Sequence, residues 1–160
     1  MNQKDINKQI FLRLEKLEKR VFSDVENKPI VATKPSDGIK RLAQKAGVSE
    51  EKIGEIFDFE NEILTVVKVI GSNPKEKTQN ISLLTLIGHK YFLANNEVAA
   101  QEIRRNVAEN RIPLENFATY LNELVPSSIR RKGKPKSPKT TYRLTVFGEV
   151  NARELIKQLA

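Results

Sequence analysis

The chain lacks cysteine and tryptophan and has a single histidine, His89, among its 160 residues. Without cysteine there is no disulfide framework, no thiol nucleophile and no thiolate metal site. One histidine is too few for a zinc site built on several imidazoles. No apolar run approaches the roughly 18–20 residues of a membrane span. The opening, MNQKDINKQ, has no apolar stretch of the kind found in a signal peptide. A glycine-rich phosphate loop is also missing. These absences predict a soluble cytoplasmic protein with no metal, no cofactor and no membrane partner.

They also argue against an enzyme. His89 lies in a strongly apolar helical stretch beside Lys90, with no nucleophile or orienting acid near it in sequence. It reads as a histidine at the edge of the core. The pairs Glu50/Glu51 and Glu60/Glu62 are one and two residues apart. Such neighbours on a helix do not face each other, so they are poor candidates for paired catalytic carboxylates.

What is plentiful is positive charge. Lysine and arginine number 28 against 20 aspartates and glutamates, for a net charge of +8. The excess is local. Residues 78–160 hold 13 bases and 7 acids, net +6, while residues 1–77 hold 15 and 13, net +2. Between residues 127 and 143 stand Arg130, Arg131, Lys132, Lys134, Lys136, Lys139 and Arg143, with no acid. Like charges this close repel, and an anionic partner is the simplest reason to keep them together.

The expected fold class is mainly α with small β hairpins, an α+β arrangement. Residues 1–22 contain an amphipathic helix, with Ile6, Ile10, Leu14, Leu17 and Val21 on one face. From Ile10 the steps are 4, 3, 4, the seam of a short coiled coil, so residues 6–21 are a candidate homodimer contact. Residues 23–36 carry two prolines and no period and read as a linker. Residues 37–77 form a second part: a helix capped by Asp37, a helix capped by Ser49 and running to about Phe57, a strand at 62–70 and a turn-linker at 71–77. Residues 78–160 form a third: helices starting near Thr78 or Asn80, at 98–109 and at 114–124, a strand, a basic loop, a strand, and a last helix capped by Thr145.

Two stretches resemble known families. LAQKAGVSEEKIGEIF, 42–57, resembles the helix-turn-helix of lac-repressor-type regulators through Leu42, Ala43, Ala46, Gly47, Val48, Ser49, Ile53 and Ile56. Small Ala43 suits a helix crossing, and Gly47 suits a left-handed turn residue. Over 49–62, however, six acids (Glu50, Glu51, Glu55, Asp58, Glu60, Glu62) face one base, Lys52. A net −5 is repelled by a duplex, so this unit is expected to contact protein or to be purely structural rather than to read DNA.

Residues 78–160 resemble the winged-helix superfamily, most specifically in the ending TTYRLTVFGEVNARELIKQL. The resemblance implies that helix 114–124 lies against the major groove and that 130–139 is the wing. It makes DNA the expected partner, with RNA as the other nucleic acid. Implied contacts are Asn116, Thr119 and Tyr120 from the helix and the seven bases between residues 127 and 143, with Arg104, Arg105 and Arg111 extending the same face. The resulting expectation is a DNA-binding transcriptional regulator or DNA-associated adaptor. The rival is a protein-interaction module that docks through the winged helix and the acidic unit. That rival predicts an exposed apolar patch on helix 114–124, near Tyr120.

Overall fold

The computed structural model describes residues 35–160 other than Pro135 and Pro138. The helix expected in residues 1–22, its dimer contact at 6–21, and residues 23–34 of the linker lie outside the described residues. Within them the fold is α+β, as expected. The helices are α1 (Pro35–Ala46), α2 (Glu50–Ile56), α3 (Pro74–Phe92), α4 (Ala100–Glu109), α5 (Phe117–Asn122) and α6 (Val146–Leu159). Strands β1 (Phe57–Glu60) and β2 (Ile63–Val66) form an antiparallel hairpin. Strands β3 (Val98–Ala99), β4 (Ile129–Lys132) and β5 (Thr141–Leu144) form an antiparallel sheet in the order β3-β5-β4.

Helix α3 organises the rest. Its start is set by Asn73, whose side chain accepts a hydrogen bond from the Glu76 amide at 2.9 Å, and by Pro74 in the first turn. The Glu76 carboxylate in turn accepts from the amide and hydroxyl of Ser72 at 2.9 and 2.7 Å, which holds its carboxyl below the usual range. Downstream, twelve of the helix's 19 residues are buried, including Ile81, Leu84 and Ile87. A helix apolar around most of its circumference belongs inside a domain. Accordingly α1, α4, α5, α6, β2 and β5 all pack on it.

This arrangement corrects the expected boundaries. The division between residues 77 and 78 falls inside α3, and residues 37–77 and 78–160 share one core that runs from Leu42 through Leu84 to Ile156. Residues 74–77 are helix rather than linker. Pro35 and Ser36 already belong to α1, so Asp37 is a first-turn acid and not the cap. Phe57 ends α2 by entering a strand that was not expected, and the 62–70 strand shortens to Ile63–Val66. Val98 and Ala99, expected as helix, are strand, and helix 114–124 contracts to Phe117–Asn122.

The local signals at the first helix pair hold. Gly47 takes φ +71°, Ser49 accepts from the Lys52 amide, and Ala43, Ala46, Ile53 and Ile56 are buried. Thr145 likewise caps α6, accepting from the Gly148 amide at 3.0 Å. Gly148 lies so close to the Ser128 carbonyl that a Cβ there has no room, which seats α6 tightly against the chain entering β4.

Among the described residues strand β2 has no second strand partner, and α4 covers its edge with side chains. The buried Asn106 accepts from the Val66 amide at 2.9 Å and donates to Leu64 O at 3.4 Å. Asn110 donates to Val66 O at 2.8 Å, and Arg105 to Leu64 O at 2.7 Å. Buried backbone groups need partners, and here polar side chains replace the missing ladder. We expect Asn106→Leu to destabilise the fold by about 1–3 kcal/mol, the cost of leaving a buried amide unpaired, read as a lower urea midpoint at unchanged slope.

Helices α3 and α6 are joined by Glu149, which accepts from the Tyr91 hydroxyl at 2.8 Å and from the Lys90 ammonium. Burial alone would raise the Glu149 carboxyl, but these hydrogen bonds and the Lys90 and Arg153 charges hold it below its ordinary value. Burial first, and then the bond to Glu149, push the Tyr91 phenol up to about 12.

His89 is not at the edge of the core but inside it, 6% exposed, and neither ring nitrogen has a partner among the described residues. Burial pushes its pKa below 6.5. The Glu102 charge opposes this and the Arg105 charge adds to it. The unfolded chain therefore takes up a proton at a higher pH than the folded one. The resulting stability is full above about pH 6.5 and is lost as pH falls from there toward the depressed folded value. Equilibrium unfolding of wild type should weaken between about pH 7 and 5, above the carboxylate range. His89→Leu should lose that dependence.

Candidate nucleic-acid interface

The basic segment is the β4–β5 hairpin. Its register pairs Ile129 with Leu144, Arg130 with Arg143, Arg131 with Tyr142 and Lys132 with Thr141. Alternation therefore sends Ile129, Arg131, Tyr142 and Leu144 to the inner face and Arg130, Lys132, Thr141 and Arg143 to the outer face. Two arginines directly opposite each other on one face repel. Only Lys132 has an ion-pair partner on this hairpin among the described residues, Glu97 at 3.5 Å. The loop tip is held from within: the Thr140 hydroxyl donates to the Lys134 carbonyl, and the Thr140 amide to Ser137 O at 3.1 Å. Lys134, Lys136 and Lys139 are exposed on that tip.

Arg131 is the exception. It points inward and donates to Asn122 Oδ1 at 2.9 Å, tying the hairpin to the end of α5. It also lies against the Tyr142 phenol. Burial raises that phenol, while the Arg131 charge and hydrogen bond lower it. The hairpin and α5 thus form one surface. Between α4, α5 and the loop runs a groove of about 730 Å³ with Leu114, Phe117 and Ala118 on its apolar lining and Arg104 and Lys136 among its charged residues. The Arg104 guanidinium lies 6.0 Å from the centroid of the Phe117 ring, a cation–π contact that holds it beside the groove.

Helix α5 is short for a reading helix. Asn116 precedes it, and its amide nitrogen meets the Tyr120 hydroxyl at 3.4 Å. Thr119 is exposed, Tyr120 is half-buried, and the Tyr120 carbonyl accepts from Gln79 at 3.0 Å. Glu123, an acid that would repel phosphate here, is held by Lys75 at 2.5 Å. Glu115 stays on the groove lining.

The expected common face of Arg104, Arg105 and Arg111 is not found. Successive helix residues diverge by about 100°, and Arg105 turns to the β2 edge, with Leu64 O at 2.7 Å and Glu102 at 3.2 Å. Arg111 is exposed in a left-handed conformation in the turn after α4 and has no hydrogen bond or ion pair from its side chain among the described residues. Near Tyr120 the apolar surface is the groove lining of Leu114, Phe117 and Ala118 rather than fully exposed side chains. Among the described residues, the exposed large apolar residues are Val146, Phe147 and Val150 on α6, and Ile63, Val67 and Ile70 in and after β2. Sequence reasoning missed both groups, although Val146 and Phe147 directly follow the Thr145 cap, where a first helical turn faces outward.

No family model matches the chain, and comparison with curated proteins and with solved structures returned no match. Among the described residues no group of acids and histidine is arranged to hold a metal ion, and no helix is long and apolar enough to cross a membrane.

The two neighbouring arginines separate stability from binding. Arg105→Ala should lower stability by about 0.5–1.5 kcal/mol, the net worth of one hydrogen bond, since Asn106 still donates to the Leu64 carbonyl at 3.4 Å, and should leave any nucleic-acid affinity unchanged. Arg104→Ala should do the reverse. Chemical denaturation and a duplex-binding titration on both variants read the difference.

Proposed function

We propose that residues 74–160 are a winged-helix unit that binds nucleic acid, duplex DNA in the first instance, in a regulator or DNA-associated adaptor. The observation that carries this is the concentration of cations on the β4–β5 hairpin, with Arg130 facing Arg143 and three exposed lysines at the tip. A row of phosphates relieves that repulsion by entering between the charges. The element order supports the reading: helix, strand, helix, helix, strand, basic loop, strand, with the sheet ordered β3-β5-β4.

On this reading the loop lysines and the outer arginines contact phosphate, and Arg104 extends the contact along the groove. Asn116, just before α5, and Thr119 on it are exposed polar groups that would meet base edges. The helix is six residues long and has no basic residue, so phosphate contacts dominate and sequence preference is modest. The acidic face of α2 is kept away from the duplex by its charge.

Replacing Lys134, Lys136 and Lys139 by Glu tests this with little risk to the core. Wild type should bind duplex DNA with log K falling against log[salt] at a slope of roughly −4 to −5, and the triple variant should flatten the slope by about three units. Asn116→Ala should cost roughly 1–3 kcal/mol on a preferred site and little on random sequence. Unchanged affinity in the triple variant, or no binding to any duplex or single strand at about 50 mM salt, overturns the proposal.

A further inference from the structure

We propose that this chain associates head to tail with a second copy of itself, the β1–β2 hairpin of one copy docking against the basic face formed by β4, β5 and the start of α6 of the next. The inference does not rest on nucleic-acid binding. It starts from two surfaces that each combine exposed aliphatic side chains with an excess of one charge, acidic on β1–β2, where Arg105 reaches the Thr65 hydroxyl at 3.5 Å, and basic on β4–β5, where Glu97 pairs with Lys132.

The first surface is the outer face of the β1–β2 hairpin. Register places Asp58 opposite Thr65 and Glu60 opposite Ile63, and alternation brings Val67 to the same side. Ile63 and Val67 are each 52% exposed, while Leu64 and Val66 between them are fully buried. Residues 57–67 contain three acids and no base.

The second surface is formed where α6 leaves the other sheet. Arg130 and Arg143 line a depression of about 630 Å³ together with Lys90, Leu144 and Val146. Val146 is 85% exposed, and Phe147 and Val150 continue the apolar strip along the first turns of α6. No acid occurs between Arg130 and Glu149, and Glu149 is engaged by Lys90 and Tyr91.

Among the described residues, Asp58, Glu60, Arg130 and Arg143 have no ion-pair partner within the chain. A second copy supplies all the missing groups at once. Two carboxylates meet two guanidiniums, which match them in shape as well as charge. Ile63 and Val67 meet Val146 and Phe147, removing apolar surface from water on both sides. Two different patches make the contact heterologous, so it repeats from copy to copy unless the rotation closes a ring.

Charge exchange tests this in the full-length chain. Sedimentation equilibrium of wild type should show a mass that rises with concentration at about 0.1 M salt and much less at about 1 M, where screening acts within a few ångströms. Asp58→Arg with Glu60→Arg should remove that salt-sensitive rise, and so should Arg130→Glu with Arg143→Glu. The chain carrying all four changes has the wild-type net charge of +8 and should regain the rise, because both patches have exchanged sign. Circular dichroism should stay the same throughout, since all four positions are exposed. A wild-type mass independent of concentration at low salt overturns the proposal. So does a fourfold variant that fails to regain the rise.

Discussion

Everything described in this fold depends on the burial of α3. A helix of 19 residues with twelve buried has almost no solvent face, so every other layer is obliged to cover it. Helices α1, α4, α5 and α6 and strands β2 and β5 supply that cover. This is why the chain cannot be cut at residue 77 into an acidic unit and a basic unit. Removing residues 37–73 would uncover the end of α3, where Phe57 and Leu64 pack on Phe92 and Gly88, and each large buried apolar side chain is worth about 1.5–3 kcal/mol.

The same constraint fixes where charge is available. Polar groups drawn onto the core become structural: Arg105, Asn106 and Asn110 finish the β2 edge, and Glu149 joins α3 to α6. Arg131 is spent on Asn122. What remains outward is the outer face of the hairpin, its tip, and Arg104. The basic surface is thus smaller than the run of seven bases suggests, and acids border it: Lys75 holds Glu123 just after α5, Glu97 pairs with Lys132, and Glu115 stays on the groove lining.

Much of this was legible from residue patterns. The turn at Gly47, the caps at Ser49 and Thr145, and the two basic strands each rest on interactions between residues near in sequence, which periodicity and cap chemistry report well. The start of α3 was equally local: Asn73 followed by Pro74 and Glu76 is a cap and first turn, but read inside GSNPKEK it passes for a turn. The edge of β2 was not legible at all. Asn106 and Asn110 look like ordinary polar positions of a surface helix, and only a strand some 40 residues earlier gives them partners. Strand β3 was hidden for the same reason, since two residues carry no period and exist as strand only through pairing with Thr141 and Tyr142. The direction of Arg105 followed from that hidden edge, which is why adjacency in sequence misplaced it.

Arg130 and Arg143 lie at the meeting point of both proposals. Either a phosphate or a carboxylate relieves the repulsion between them, and one pair of guanidiniums cannot be fully occupied by both. Phosphate contacts gain from released counterions and fall off as a high power of salt concentration. Carboxylate contacts between chains are backed by aliphatic burial that salt does not weaken. If both proposals hold, low salt and abundant nucleic acid would favour separate chains on a duplex, and high protein concentration without nucleic acid would favour chains joined to each other. The hairpin tip is outside this competition, because Lys134, Lys136 and Lys139 do not line the depression beside α6 that the acidic hairpin would enter. A chain held by its neighbour would therefore still present those three lysines to phosphate.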